Sequence, residues 1–184
     1  MSMTTPSPSV SSSNPMRAVH VEKVTVNIGI GSPGERLEFA KALLERLTRR
    51  KPVETQAKRR EPVFKLRPGL PIGTKVTLRG KLASEFLEKA LSARKRTLPE
   101  HSFDNYGNLS FGVPEYIDFP GAKYDPKIGM MGFDVCVTLS RAGRRVGLRR
   151  IASASVGKYH HRISGAEARQ FMQDKFSVKW STEE

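Results

Sequence analysis

Between residues 23 and 47 the spacing of apolar residues changes from two to about four, and that switch restricts the fold more than anything else in the chain. Val24, Val26, Ile28 and Ile30 alternate with Lys23, Thr25, Asn27 and Gly29. A period of two is a half-buried strand, because successive side chains leave a strand on opposite faces. Leu37, Ala40, Leu44 and Leu47 then recur at helical spacing, with Glu35, Arg36, Lys41 and Arg46 on the other faces. Ser32 and Pro33 read as an N-cap and a first-turn proline. The helix should end in Thr48-Arg49-Arg50-Lys51, before Pro52, where cations suit the negative end of its dipole. A strand, a glycine turn and a helix in direct succession predict a sheet with helices laid on one face.

The remaining segments fit that plan. Residues 53–58 predict a short second strand. Residues 59–73 carry three prolines, two glycines and four basic residues, and predict a long projecting loop. Residues 74–80 alternate again, with Val76 and Leu78 inward and Lys75, Thr77 and Arg79 outward. A second amphipathic helix is expected over 81–94, and a strand over 108–113 after the Asn105-Tyr106-Gly107 turn. Residues 115–131 read as a loop. The clearest strand is 132–140, GFDVCVTLS, followed by a turn at 141–144 and a hairpin return over Val146 to Ile151. Ser164 should cap a last helix over 165–175, with Ala168, Phe171 and Met172 inward, and 177–180 should form a final short strand. Residues 1–15 are Ser, Thr and Pro without charge and predict a disordered tail. The expected fold class is therefore α+β. Residues 16–184 form a single domain: a largely antiparallel sheet with two main helices packed on one face, plus a C-terminal helix and a long basic loop.

Several function classes drop out. A single cysteine, Cys136, allows neither a disulfide framework nor a Cys-rich zinc site. Cys136 lies in the clearest strand and reads as a small buried hydrophobe. No run approaches the ~18 apolar residues of a membrane span. No nucleophile elbow or P-loop is present, and the four histidines, with His160 and His161 expected to point apart on a strand, suggest no metal site. Neither metal nor cofactor is expected. Gly29-Ile30-Gly31-Ser32-Pro33-Gly34 matches G-x-G-x-x-G literally, with Glu54 some distance on. A dinucleotide fold would need parallel βαβ units; the alternatives are a tight turn or a nest of amides that could hold an RNA phosphate.

Charge supplies the positive signal. There are 32 Lys and Arg against 18 Asp and Glu, a net charge of +14. The basic residues cluster at 46–51, 58–67, 141–150 and 158–162, in loops and at element ends. Such a balance points to a polyanionic partner, most often nucleic acid. Thr25, Asn27, Lys75, Thr77 and Arg79 would give a sheet face able to meet phosphates, 2′-hydroxyls and base edges. Without the aromatic pair of a stacking RNA-binding sheet, that face suits folded RNA read by shape.

Asn14-Pro15-Met16-Arg17, Val24 to Gly31 (VTVNIGIG), Pro71-Ile72-Gly73 and Val76-Thr77-Leu78-Arg79-Gly80 then occur in order. Ser102-Phe103-Asp104, Gly107-Asn108, Lys123-Tyr124-Asp125-Pro126 with Ile128-Gly129, and His161-Arg162-Ile163-Ser164 follow. Together they cover about Asn14 to Trp180. The set resembles family five of the universal large-subunit ribosomal proteins, which binds 5S rRNA, in its archaeal and eukaryotic form. The absence of the long N-terminal helix of bacterial members favours an archaeal source. The resemblance implies a cytoplasmic structural protein of the large ribosomal subunit that helps attach 5S rRNA to the large rRNA in the central protuberance. The implied neighbours are the large-subunit ribosomal protein of family eighteen, P-site tRNA and, across an intersubunit bridge, the small-subunit ribosomal protein of family thirteen. The family's 5S contacts map onto Asn27, Thr77 and Arg79, with Arg50 standing where many members have glutamine and Thr25 and Lys75 beside them. Its P-site tRNA loop maps onto Lys65, Arg67, Pro68 and Gly69.

Overall fold

The structure, a computed structural model, describes residues 17–156, 161 and 163–181. The expected tail over 1–15 and most of the 158–162 basic cluster lie outside the described residues. Strand β1, Val19–Gly29, is central to a five-stranded sheet of order β2-β3-β1-β6-β5. Its companions are β2 (Val53–Gln56), β3 (Pro71–Leu78), β5 (Leu109–Val113) and β6 (Phe133–Arg141), and every neighbouring pair is antiparallel. Two short strands, β4 (Thr97–Pro99) and β7 (Lys179–Ser181), pair in parallel as a separate ribbon.

The alternation read in the sequence decides which face is covered. Val24, Val26 and Ile28 of β1, Val76 and Leu78 of β3, and Val135, Val137 and Leu139 of β6 are all buried on the same side. Helix α1 (Glu35–Thr48) brings Ala40, Leu43 and Leu44 into that core, and α2 (Lys81–Ala93) brings Phe86, Leu87, Ala90 and Leu91. Phe86, Phe119 and Phe133 form an aromatic group with ring centroids 5.0 to 6.4 Å apart. Fully burying one such side chain stabilises the fold by about 1.5–3 kcal/mol. Because both helices lie on one face, the opposite face is left to its polar residues.

A last helix, α4 (Gly165–Phe176), starts at the expected Ser164 with a complete capping box. The Glu167 amide donates to Ser164 Oγ at 3.3 Å, and the Ser164 amide donates to Glu167 Oε2 at 3.1 Å. Ala168, Met172 and Phe176 are buried, with Phe171 half-buried beside them.

The structure departs from the sequence reading in four places. Helix α1 begins at Glu35 with Gly34 as N-cap, so Ser32 and Pro33 belong to the preceding turn. That turn is tied down because the amides of Ile30 and Gly31 both donate to the Ile72 carbonyl, at 3.0 and 2.8 Å. The basic loop is shorter than 59–73 and is zipped into an irregular hairpin. Ala57 bonds Leu70 at 2.8 Å, and Glu61 pairs with Leu66 at its narrow end. Residues 146–151 form no return strand. Arg145–Leu148 is instead a single helical turn, α3, and Leu148 and Ile151 are 66% and 82% exposed, so no buried face was available to order a strand. His161 is helical rather than extended.

Candidate nucleic-acid interface

Strand register sets the side chains of the open face in rows. Val53 of β2 lies opposite Lys75 of β3, Lys75 opposite Asn27 of β1, Asn27 opposite Asp134 of β6, and Asp134 opposite Gly112 of β5. The next row runs Thr77, Thr25, Cys136, Ser110. With strands about 4.8 Å apart, a five-strand row spans about 19 Å.

Beside this face is a groove of about 570 Å³ in which Arg50, Lys51, Lys75, Thr77 and Arg79 meet. Its origin is local. Helix α1 closes with Arg49 in a left-handed conformation, φ 54°, and the chain turns so that Arg50 and Lys51 follow directly. Strand β2 ends its pairing opposite Lys75, so the β3 edge beyond has no strand beside it among the described residues. Arg79 is 61% exposed and stands 3.7 Å from Glu22. At that exposure the pair contributes about 0–1 kcal/mol and does not lock the guanidinium.

The six residues expected to bind rRNA are thus brought together. Arg50, Lys75, Thr77 and Arg79 line the groove, and Thr25 and Asn27 continue it across the neighbouring strand. Lys65, Arg67, Pro68 and Gly69 lie elsewhere, on the hairpin that leaves the sheet between Gln56 and Pro71. From Pro71 to Leu78, β3 is about 24 Å long, so the hairpin root and Arg79 mark opposite ends of the sheet.

Sequence reasoning passed over three features here. Lys51 shares the groove. Asp134 was legible as an outward position of the alternating β6 sequence, but attention to cations hid it. Val63 and Phe64 stand at the hairpin tip, 85% and 71% exposed, with no periodicity to reveal them.

Other expectations need correction. Cys136 is not buried; it lies on the open face between Thr25 and Ser110. Partial burial raises the pKa of its thiol, and the neighbouring Asp134 charge adds to this. The amide-nest reading of the glycine turn fails for Ile30 and Gly31, whose donors are already taken by Ile72. The dinucleotide alternative fails because both neighbours of β1 run antiparallel to it. Among the described residues no group of three or more His, Cys, Asp or Glu side chains could hold a metal ion. No helix among them is long and apolar enough to cross a membrane.

Comparison with known families decides between the remaining possibilities. A family profile described as ribosomal protein L5 matches residues 14–67, and a second, described as the C-terminus of the same ribosomal family, matches residues 71–178. The chain belongs to the ribosomal protein L5 family. Its archaeal relatives include the large ribosomal subunit protein uL5 of Sulfurisphaera tokodaii, 52% identical over 165 residues, covering 90% of this chain and 93% of that protein. The uL5 proteins of Methanococcus maripaludis and Sulfolobus acidocaldarius are each 48% identical, over 168 and 165 residues, and each match covers 90% of this chain and 92% of the relative. Members of the L5 family are structural components of the large ribosomal subunit and not enzymes.

Proposed function

We infer that this protein binds 5S rRNA through the open sheet face and its basic groove. So placed, it helps attach 5S rRNA to the large rRNA in the central protuberance. The observation that carries this reading is the convergence of Arg50, Lys75, Thr77 and Arg79 in one groove, continued by Thr25 and Asn27. Cations at the rim neutralise phosphates, while Asn27 and Thr77 supply short, directional hydrogen-bonding groups that fix register on folded RNA. The 57–70 hairpin, with Lys65, Arg67, Pro68 and Gly69, is a second basic surface, which we assign to P-site tRNA. It leaves the opposite end of the sheet, so the two RNAs need not compete. The same reading takes residues 16–184 as one RNA-binding domain. It includes contact with the large-subunit ribosomal protein of family eighteen and a bridge to the small-subunit ribosomal protein of family thirteen.

The test is competition between labelled 5S rRNA and an unrelated structured RNA of equal length, at two salt concentrations. A preference for 5S rRNA that persists at the higher salt supports the reading. Equal competition that collapses with salt would reduce the surface to general polyanion attraction.

A further inference from the structure

The open face holds a carboxylate where a surface for phosphates should have none. Asp134 stands in the same row as Lys75 and Asn27, directly opposite Asn27. Among the described residues the ion pairs bind Glu22, Glu54, Glu100, Asp125 and Glu167, and Asp134 is in none of them. Its surroundings are open. Across the row is Gly112, whose missing Cβ would have come within 3.5 Å of Asp134 Oδ1. Asn27, Gly29, Gly112, Gly132 and Asp134 share one hollow, which Arg94, just past the end of α2, also lines. Three of those five residues have no side chain, so a planar group can approach the Asp134 carboxylate and the Asn27 amide together.

An ionised carboxylate accepts hydrogen bonds and donates none. Facing a phosphate it repels. It favours RNA binding only where RNA presents donors, which are the amino and imino groups of bases and the 2′-hydroxyl. Lys75 is two strand spacings away, about 10 Å, so a phosphate held there need not press on Asp134. Asn27, between the two, carries both donor and acceptor. We propose that Asp134 is a specificity residue of the RNA interface, its carboxylate accepting a hydrogen bond from a base-edge or ribose donor of a nucleotide laid across Asn27 into the glycine-lined hollow. This rests on the assignment of the open face to 5S rRNA. It adds to that assignment an acceptor that discriminates, beside cations that attract.

The sign of one measurement separates the alternatives. Asp134→Ala removes a negative charge from a surface that binds a polyanion. If the carboxylate does no more than repel, the variant binds 5S rRNA and an unrelated structured RNA more tightly, by the same factor. If it accepts from a base or ribose, 5S rRNA binding weakens by about tenfold, in line with loss of a specific contact, while the unrelated RNA is unchanged or tighter. Asp134→Asn, which keeps the shape and one acceptor oxygen, should lose less than Asp134→Ala. Asp134 is exposed, and thermal melts would establish that both variants keep the fold. Equal tightening on both RNAs overturns the proposal while leaving the 5S assignment intact. Absence of any 5S preference in the unaltered protein overturns both. Interference mapping with 2′-deoxy and inosine-substituted 5S rRNA locates the donor. A site whose effect vanishes in Asp134→Ala is a ribose hydroxyl in the first case and a guanine amino group in the second. An identical pattern for both proteins and both analogues would count against the contact.

Discussion

Arg79 offers the most direct test of the groove. Its side chain is 61% exposed, and the guanidinium faces Glu22 at 3.7 Å. To reach RNA it must give up that pair, which at such exposure is worth about 0–1 kcal/mol. Glu22→Gln removes the competing partner and should tighten 5S rRNA binding by up to about fivefold, the equivalent of 1 kcal/mol. Arg79→Ala removes the contact itself and should weaken binding by about 1–3 kcal/mol if the guanidinium meets a specific group. Each phosphate neutralised contributes about 0.7–0.9 to the slope of log K against log salt, so loss of Arg79 should flatten the slope by about that amount. In the double variant Glu22 has nothing left to hold, so the benefit of Glu22→Gln should shrink to what one fewer negative charge gives. The assay is fluorescence anisotropy of labelled 5S rRNA across about 50–200 mM salt, a range over which phosphate contacts change affinity strongly. An Arg79→Ala protein with intact fold, unchanged slope and unchanged 5S preference would refute the placement of RNA in this groove. Weaker binding by Glu22→Gln would refute the competition between Glu22 and RNA for the same guanidinium.

Three further outcomes are expected. Ser164→Ala removes the hydroxyl that accepts from the Glu167 amide, leaving the Ser164 backbone amide to donate to Glu167 as before, and should cost about 1 kcal/mol, read as a lower denaturation midpoint with unchanged m-value. Gly107 has φ +75°, and a Cβ there would meet Ile163 Cγ2 at 2.9 Å, so Gly107→Ala should destabilise by about 1–3 kcal/mol in the same measurement. The Cys136 thiol has a raised pKa, so near neutral pH it stays protonated and should react slowly with iodoacetamide despite its exposure. The rate should climb only above the pH at which an ordinary thiol ionises, and Asp134→Ala should move that rise to lower pH.

The parts of this fold that were legible in the sequence are those in which one face of an element is buried. Val24, Val26 and Ile28, and Val135, Val137 and Leu139, alternate because a core covers one side of their strands, and that requirement is written into residue type. The Ser164 cap was legible for a related reason: its partner Glu167 lies three residues away, so the whole interaction is local. The misreadings occur where local signals compete or run out. Ser32-Pro33 is a plausible helix start in isolation, but the Ile72 carbonyl, about forty residues away, holds the turn open until Gly34. Strand β4 was invisible because it buries a single side chain, Leu98, and exists only through its distant partner β7. Cys136 was misplaced because its chemical type suggested burial, whereas its position in the alternation, beside inward Val135 and Val137, already pointed outward. The candidate site was legible in its outward-facing residues. The meeting of Arg50 with Thr77 and Arg79 was not, because it depends on how α1 ends against the β3 edge.

The position of β1 has a consequence for how the protein is made. Among the described strands it comes first in the chain, yet it is central to the sheet, between β3 and β6. Its β3 edge can pair once Pro71–Leu78 has been synthesised, but the other edge must wait for Phe133–Arg141, 55 residues after Leu78. Throughout that interval the nascent chain carries a Val- and Ile-rich strand with one side unpaired, the kind of edge that invites intermolecular pairing. The segment matched over 14–67 and the segment matched over 71–178 are interleaved in one sheet, so neither can bury its strands without the other. Completion of the sheet is therefore a late event in synthesis of the chain. The polar face is complete only when β6 closes against β1, whereas the groove, lined by residues 50–82, is assembled on the β3 side before β6 is made.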